Sequence, residues 1–371
     1  MHPIRSNDPG LSRRRLLGTG GGMAAAALLG AGTTLLGAGP AHAVVDDSPR
    51  FKLDGDGDNP VKRKSLHANW VMQSFAYDNV NQHIYFAQTN TSNTDPERVG
   101  DLWITKTDLS GNELGAMALH NFGHGVQIGV EPYQGSVYLW TEWWSSASGF
   151  GTKVGRFKFV NGVTLEMTSA AIQDRTPSIA DTMVNPQPAI DPSTDRLWVR
   201  YKVAADMPRI VGFTMSDARA GRLTEDPEHR LAERALPSRG DWGTANPFQG
   251  FAVYGRYAYL LEGAANGPSY ISVIDLNGTG QSTVVDRWET TAGASLPGRE
   301  PQGMAIWLAS GAARLAFGFH SNTDGVRQSS VFYKNQFVQA AAKAADVQKP
   351  EAREEPSSGP RQHPGGHTDQ D

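Results

Sequence analysis

The phrase Gln73-Ser74-Phe75-Ala76-Tyr77-Asp78, followed after five residues by Ile84-Tyr85-Phe86, returns in four further versions along the chain. The second is His124-Gly125-Val126-Gln127-Ile128-Gly129-Val130-Glu131 with Val137-Tyr138-Leu139-Trp140. The third is Asn185-Pro186-Gln187-Pro188-Ala189-Ile190-Asp191 with Leu197-Trp198-Val199. The fourth is Phe248-Gln249-Gly250-Phe251-Ala252-Val253 with Tyr257-Ala258-Tyr259-Leu260. Glu300-Pro301-Gln302-Gly303-Met304-Ala305-Ile306 with Arg314-Leu315-Ala316-Phe317-Gly318 is the fifth. Short apolar runs that alternate, rather than recur at helical spacing, are the signature of strands. Asp78, Glu131 and Asp191 each stand six positions before the second run, where a hairpin turn is due.

A third strand follows each pair, clearest in Leu102-Trp103-Ile104 and Tyr270-Ile271-Ser272-Val273-Ile274. The Gln of each copy, at 73, 127, 187, 249 and 302, recurs every 53 to 62 residues. A unit of three or four antiparallel strands cannot bury both faces alone, and stacking such units in a closed ring protects their edges. The spacing therefore predicts an all-β fold, a five-bladed β-propeller with antiparallel blades over residues 65–338. A β-sandwich, with about seven to nine strands, would leave too many of these runs unused.

The ends read differently. Arg13-Arg14-Arg15 precedes a weakly apolar, Gly- and Ala-rich run that ends at Ala41-His42-Ala43, the layout of a twin-arginine export signal over residues 1–43. After cleavage no membrane span is expected, and the chain is placed outside the cell, secreted or associated with the wall. Residues 44–64 read as a flexible linker. Within it, Asp54-Gly55-Asp56-Gly57-Asp58 resembles the start of a calcium loop, but Asn59 and Ser65 stand where that loop needs Gly and Glu. Residues 341–371, with almost no apolar side chains, read as a disordered tail.

Residues 1–43 carry four Arg and one Asp, so the remainder holds 30 basic and 37 acidic side chains, a net charge of −7. A mildly acidic chain without a basic block argues against nucleic acid as a partner. The absence of cysteine excludes disulfides and thiolate metal sites. Neither a metal nor a cofactor is implied, and the chain is expected to be a monomer.

In a propeller the first strand of each blade lines the central channel. The repeated phrase should bring Gln73, His124 or Gln127, Gln187, Gln249 and Gln302 to one axis, either to bind a hydroxyl-rich ligand or to bond neighbouring blades. Trp143 and Trp144 read as exposed loop residues able to pack on a sugar or polyol, with Glu131 and Glu142 beside them, whereas Trp140 reads as core. His124 is the candidate general base, with Glu131, Glu142, Arg299, Glu300 or His320 as partners for cleaving a polymer. Arg299 and His320 also count among the candidate ligand contacts.

Phe122-Gly123-His124-Gly125, Ile128-Gly129-Val130-Glu131 and Tyr138-Leu139-Trp140-Thr141-Glu142, together with Gln73-Ser74-Phe75 and Ile84-Tyr85-Phe86-Ala87-Gln88, resemble the TagC-like propeller family. That family includes a protein named for teichoic acid biosynthesis and the propeller of staphylococcal phage receptor-binding proteins. The resemblance spans about residues 66–336 and implies a five-bladed propeller linked to a cell-wall glycopolymer, a teichoic acid or related polyol-phosphate or glycan. It transfers no catalytic residue. Three functions follow as expectations: a secreted module that binds such a polymer, a hydrolase or lyase that cuts it with His124 as base, or an envelope scaffold without a small ligand.

Overall fold

In a computed structural model of the chain, the described residues are 45–339, apart from residues 56, 90–94, 180–182, 204–206, 239–245, 279–283 and 324–325. The expected export signal and C-terminal tail lie outside them.

The described strands form five sheets, antiparallel throughout except that Thr164–Glu166 adds to the edge of one by pairing parallel with Glu113–His120. Blade 1 starts at Val71–Asp78, blade 2 at Ile128–Tyr133, blade 3 at Val184–Asp191, blade 4 at Phe248–Tyr254 and blade 5 at Glu300–Ala309. Each of these inner strands contains or directly follows one copy of the repeated phrase. They touch one another in cyclic order, blade 5 returning to blade 1, so the predicted ring closes. The predicted hairpin turns are also present. Asp78 Oδ1 accepts from the amides of Val80 and Asn81, and Asp191 Oδ1 accepts from the amide of Ser193. A short acidic side chain that bonds the backbone two or three residues on closes a turn locally.

The repeated Gln marks an irregularity of the backbone. In blades 1, 3, 4 and 5 the pairing of the inner strand slips at Gln73, between Val184 and Gln187, at Gln249 and at Gln302-Gly303. A bulge of this kind bends the strand and re-aims a side chain. It also lets backbones meet where the blades converge. A Cβ on Gly250 would lie 2.7 Å from Gly303 Cα, and one on Gly303 would lie 2.6 Å from Ser74 Cα.

Between blades the core is aromatic and aliphatic. Trp140 and Trp198 are fully buried, in line with the reading of Trp140 as core, and Phe75, Phe86, Phe213 and Phe251 are buried with them.

The linker reading of residues 44–64 is corrected. Asp58–Lys64 is a strand, the outermost of blade 5, antiparallel to Val326–Lys334. Ahead of it, Phe51 bridges Phe337 and donates its amide to Tyr259 Oη at 2.8 Å. Phe51 and Val61 are fully buried, each contributing roughly 1.5–3 kcal/mol. The N-terminal segment therefore completes the last blade with chain from the other end of the sequence, and the ring begins at residue 58 rather than 65. In the calcium-like stretch, Asp54 pairs with Lys52 at 3.2 Å and Asp58 accepts from Tyr333 Oη at 2.9 Å. Asp56 lies outside the described residues.

Candidate functional site

The bulged Gln residues open onto one mouth of the channel. There a cavity of about 560 Å³ is lined by Gln73, Gln187, Gln249 and Gln302, with His124 in the place blade 2 occupies in the ring. Blade 2 has no bulge at this point; its loop from Phe122 to Gln127 brings the imidazole instead. Gly125, at φ +74°, turns that loop. The His124 ring stacks on Phe150, centroids 4.8 Å apart, and among the described residues neither of its nitrogens is hydrogen-bonded. Burial holds its pKa below the ordinary histidine value, against the opposing pull of Glu300. It is therefore neutral near pH 7.

Two of the amides are already engaged. Gln249 Nε2 donates to the carbonyl of Gly263 at 2.9 Å and to Glu300 Oε1 at 3.3 Å. Gln302 bonds Glu300 through its side chain, while its own Oε1 is buried and takes no hydrogen bond from the described residues. Glu300 sits 3.5 Å from His320 Nδ1, and that bond together with those from the Gln side chains holds its carboxyl below the usual carboxylate range. On the other side of the same imidazole, Arg327 Nη1 donates to His320 Nε2 at 2.8 Å. His320 thus ties Glu300 and Arg327 together at the cavity wall.

Blade 3 supplies a wall that sequence reasoning missed. Arg200 is 6 % exposed, lies 3.8 Å over the Phe248 ring and donates from Nη1 to Gln187 Oε1 at 3.0 Å. Lys202, two residues on and so on the same strand face, also lines the cavity. A charge inside the apolar run Leu197-Trp198-Val199-Arg200-Tyr201 was the available signal. Glu262, on blade 4, is bonded to Arg287 at 2.5 Å, and burial raises its pKa against that bond.

Several candidates take structural places instead. Gln127 fills the channel below the cavity, donating to Met304 O at 3.1 Å and accepting from the Phe251 amide at 3.1 Å, so it bonds blade 2 to blades 4 and 5. Glu131 lies toward the opposite end of its strand, buried, accepting from Trp140 Nε1, Arg156 Nε and Arg219 Nη1. Trp143 is only 7 % exposed, lies within the strand Ser136–Ser145 and donates to Met167 O, which corrects its reading as an exposed loop residue. Trp144 is exposed but does not line the cavity. Arg299 is buried beside a separate groove, donating to Ala292 O, Thr290 O and Ser269 Oγ. Glu142 is fully buried beneath the His124 loop. Its oxygens accept from the amides of Gly125 at 2.7 Å and Gly151 at 2.6 Å.

Residues 71–332 match the model of a family described as the phage 5-bladed beta propeller receptor binding platform domain. The chain belongs to that family. Among curated proteins it is 27 % identical over 273 residues to a Bacillus subtilis (strain 168) protein named for teichoic acid biosynthesis (protein C), covering 71 % of this chain and 59 % of the relative. Among solved structures it is similar to the tail fiber of Staphylococcus aureus phage P68, with a TM-score of 0.60 and 20 % identity, covering 76 % of this chain and 53 % of the fiber. The chain thus spans little more than half the length of either relative. A Lactobacillus brevis alpha-L-arabinofuranosidase superposes with a TM-score of 0.43 at 11 % identity, covering 72 % of this chain and 92 % of the enzyme.

Proposed function

We propose that this chain is an exported propeller, secreted or held at the wall, that binds a cell-envelope glycopolymer such as a wall teichoic acid at the mouth formed by Gln73, His124, Gln187, Gln249 and Gln302. The observation that carries the reading is the convergence of these five side chains on one cavity of about 560 Å³, a volume within the usual range for ligand sites. Amides both donate and accept, so they suit hydroxyl groups. Phe150 and Phe248, which also line the cavity, offer flat apolar faces for a sugar or polyol chain. Membership of a receptor-binding platform family and likeness to a protein named for teichoic acid biosynthesis support an envelope polymer as the ligand.

Isothermal titration with purified wall polymers tests this. Binding that weakens in Gln73→Ala and in Gln302→Ala, with melting temperature held, is the expected result. No heat with any envelope polymer would remove the proposal.

The free imidazole of His124 favours one second reading. Neutral at pH 7 and open to the cavity, it is equipped to take a proton from a hydroxyl, as the base of a hydrolase or lyase requires. Incubating cell walls with wild type and with His124→Ala separates the two readings. Release of fragments that stops in the variant supports cleavage; intact walls with retained binding support a binding module.

A further inference from the structure

Away from the channel, the outer part of blade 1 carries a groove of about 410 Å³ to which the repeated phrase contributes no residue. Trp103 stands on the strand Leu102–Thr107, and Glu113 and Leu114 begin the strand Glu113–His120. His67 comes from the segment ahead of the blade's first strand, and Asn161 from the chain that follows Gly151–Lys158 of blade 2. The His67 ring lies against Trp103, centroids 4.3 Å apart, and its Nδ1 is 2.8 Å from Glu113 Oε1. An ionised carboxylate only accepts, so Nδ1 carries the proton and the imidazole is fixed in its orientation.

Asn161 is held just as firmly. Its Oδ1 accepts from the amide of Ala116 at 2.8 Å, and Gly162, at φ +75°, turns the loop that carries it. Gly115 makes the room, since a Cβ there would lie 2.5 Å from Asn161 Oδ1. Placed in this way, Trp103 Nε1, His67 Nε2, the second oxygen of Glu113 and Asn161 Nδ2 have no hydrogen bond among the described residues. Leu114, 49 % exposed, adds an apolar surface beside them. Unlike the mouth, which Arg200, Lys202 and Arg327 line, the groove has no Lys or Arg among its described lining residues.

We propose that this groove is a second carbohydrate site, separate from the mouth, that takes one uncharged pyranose ring. The apolar C–H face of the ring packs on Leu114 and on the open part of Trp103. Its hydroxyls donate to Glu113 and to His67 Nε2, and accept from Asn161 Nδ2 and Trp103 Nε1. An apolar face rimmed by hydroxyls is what a pyranose offers, and the volume lies within the usual range for small-ligand sites. An anion is a poor fit, because Glu113 repels it and no lining cation offsets its charge. The groove shares no lining residue with the mouth, so either can bind without the other.

NMR of the nitrogen-labelled full-length protein, read at the Trp indole N–H resonances, tests the site with glucose, galactose and N-acetylglucosamine, and with a tetramer of glycerol phosphate as the charged probe. Trp103→Phe identifies the Trp103 resonance. At least one sugar should move that resonance and saturate at millimolar concentration, while the tetramer leaves it in place. Glu113→Gln removes a charged acceptor and should weaken the sugar on the order of tenfold. Gln302→Ala, at the mouth, should leave sugar binding unchanged. If Glu113→Gln does not fold, Leu114→Ser, at an exposed position, should also weaken the sugar, through loss of the apolar contact. Equal sugar affinity in the folded Glu113→Gln and in Leu114→Ser, or a tetramer that moves the Trp103 resonance as strongly as the sugar, would overturn the assignment. Sugar binding lost in Gln302→Ala would move the ligand to the mouth and overturn it as well. No movement with any of the sugars would remove the second site and leave polymer binding at the mouth untouched.

Discussion

A carboxylate oxygen of Glu142 lies 2.7 Å from the amide nitrogen of Gly125, beside the residue that carries the imidazole of the mouth. The other oxygen accepts from Gly151, and the amides of His124 and Val126 also point at this carboxyl. Burial is the largest influence and pushes its pKa up to about 7, while the four amides pull it down. Glu142 thus anchors the His124 loop from beneath rather than meeting a ligand.

Glu142→Ala should strip these buried amides of their acceptor and cost about 2–4 kcal/mol, with polymer affinity falling because His124 is no longer held. Urea unfolding and titration on the same preparation measure both. The pH dependence has a defined sign. The folded carboxyl keeps its proton to about pH 7, whereas the unfolded one releases it near 4.5. Between those values the folded state binds more protons, so this group's contribution is full below about pH 4.5 and is lost as pH rises through about 7. The slope should amount to about 3 kcal/mol and vanish in Glu142→Gln. A flat profile in the wild type would refute the raised pKa.

Glu131→Gln should separate structure from binding. The carboxylate is buried against Arg156 and Arg219 and accepts the Trp140 indole, so removing its charge leaves a buried guanidinium unpaired. A loss of about 3–5 kcal/mol in stability is expected. Titration of the folded fraction with polymer at low temperature should give wild-type affinity, because Glu131 does not line the cavity. Weakened binding in that fraction would restore Glu131 to the site.

Glu131 also shows what the sequence makes legible and what it hides. The five copies announce the ring because period-2 alternation and a fixed interval are properties of the chain itself. The Gln side chains follow, since they ride on the repeat. Glu131 occupies the position of Asp78 and Asp191, yet those two close hairpin turns while Glu131 reaches arginines on a later strand and a helix. Trp143 and Trp144 have opposite fates because they are neighbours on one strand, whose pleat sends one side chain inward and the next outward. Arg200 went unread for a related reason: its place in the cavity wall, over the Phe248 ring and bonded to Gln187, depends on residues from elsewhere in the fold. The strand at Asp58–Lys64 is polar on its outer face and pairs with chain more than 260 residues away, so local pattern gave it little weight.

That strand yields a direct test. A chain beginning at Leu66 lacks the outermost strand of blade 5, together with Phe51, Leu53 and Val61, all buried in the intact protein. It exposes the edge of Val326–Lys334 and the apolar surface those residues covered, a template for aggregation. Size-exclusion chromatography and thermal melting should show aggregation and no cooperative transition, whereas a chain beginning at Val44 should melt as one unit. A monomeric, cooperatively folding truncation would mean that the ring closes without its N-terminal strand.

Gly303→Ala probes the ring at the point where blade 5 meets blade 1. Gly303 has φ +77°, a conformation that costs an L-residue about 1–2 kcal/mol, and its added Cβ would also sit 2.6 Å from Ser74 Cα. Backbone cannot step aside as a flexible side chain does, so the inner strand of one blade must move away from the next. Gly311 provides the control, because at φ +74° it carries the same conformational cost with nothing within 4 Å of the added carbon. The difference between the two alanine variants therefore isolates the close approach from the dihedral. Gly303→Ala should lose about 3 kcal/mol or more by denaturant unfolding and Gly311→Ala about 1–2. Because Gln302 precedes the displaced residue, the first variant should also bind polymer less well even when folded, while the second binds as wild type. Equal losses in the two would show that the blades are not in backbone contact at Gly303, and the alignment of the Gln ring would need another cause.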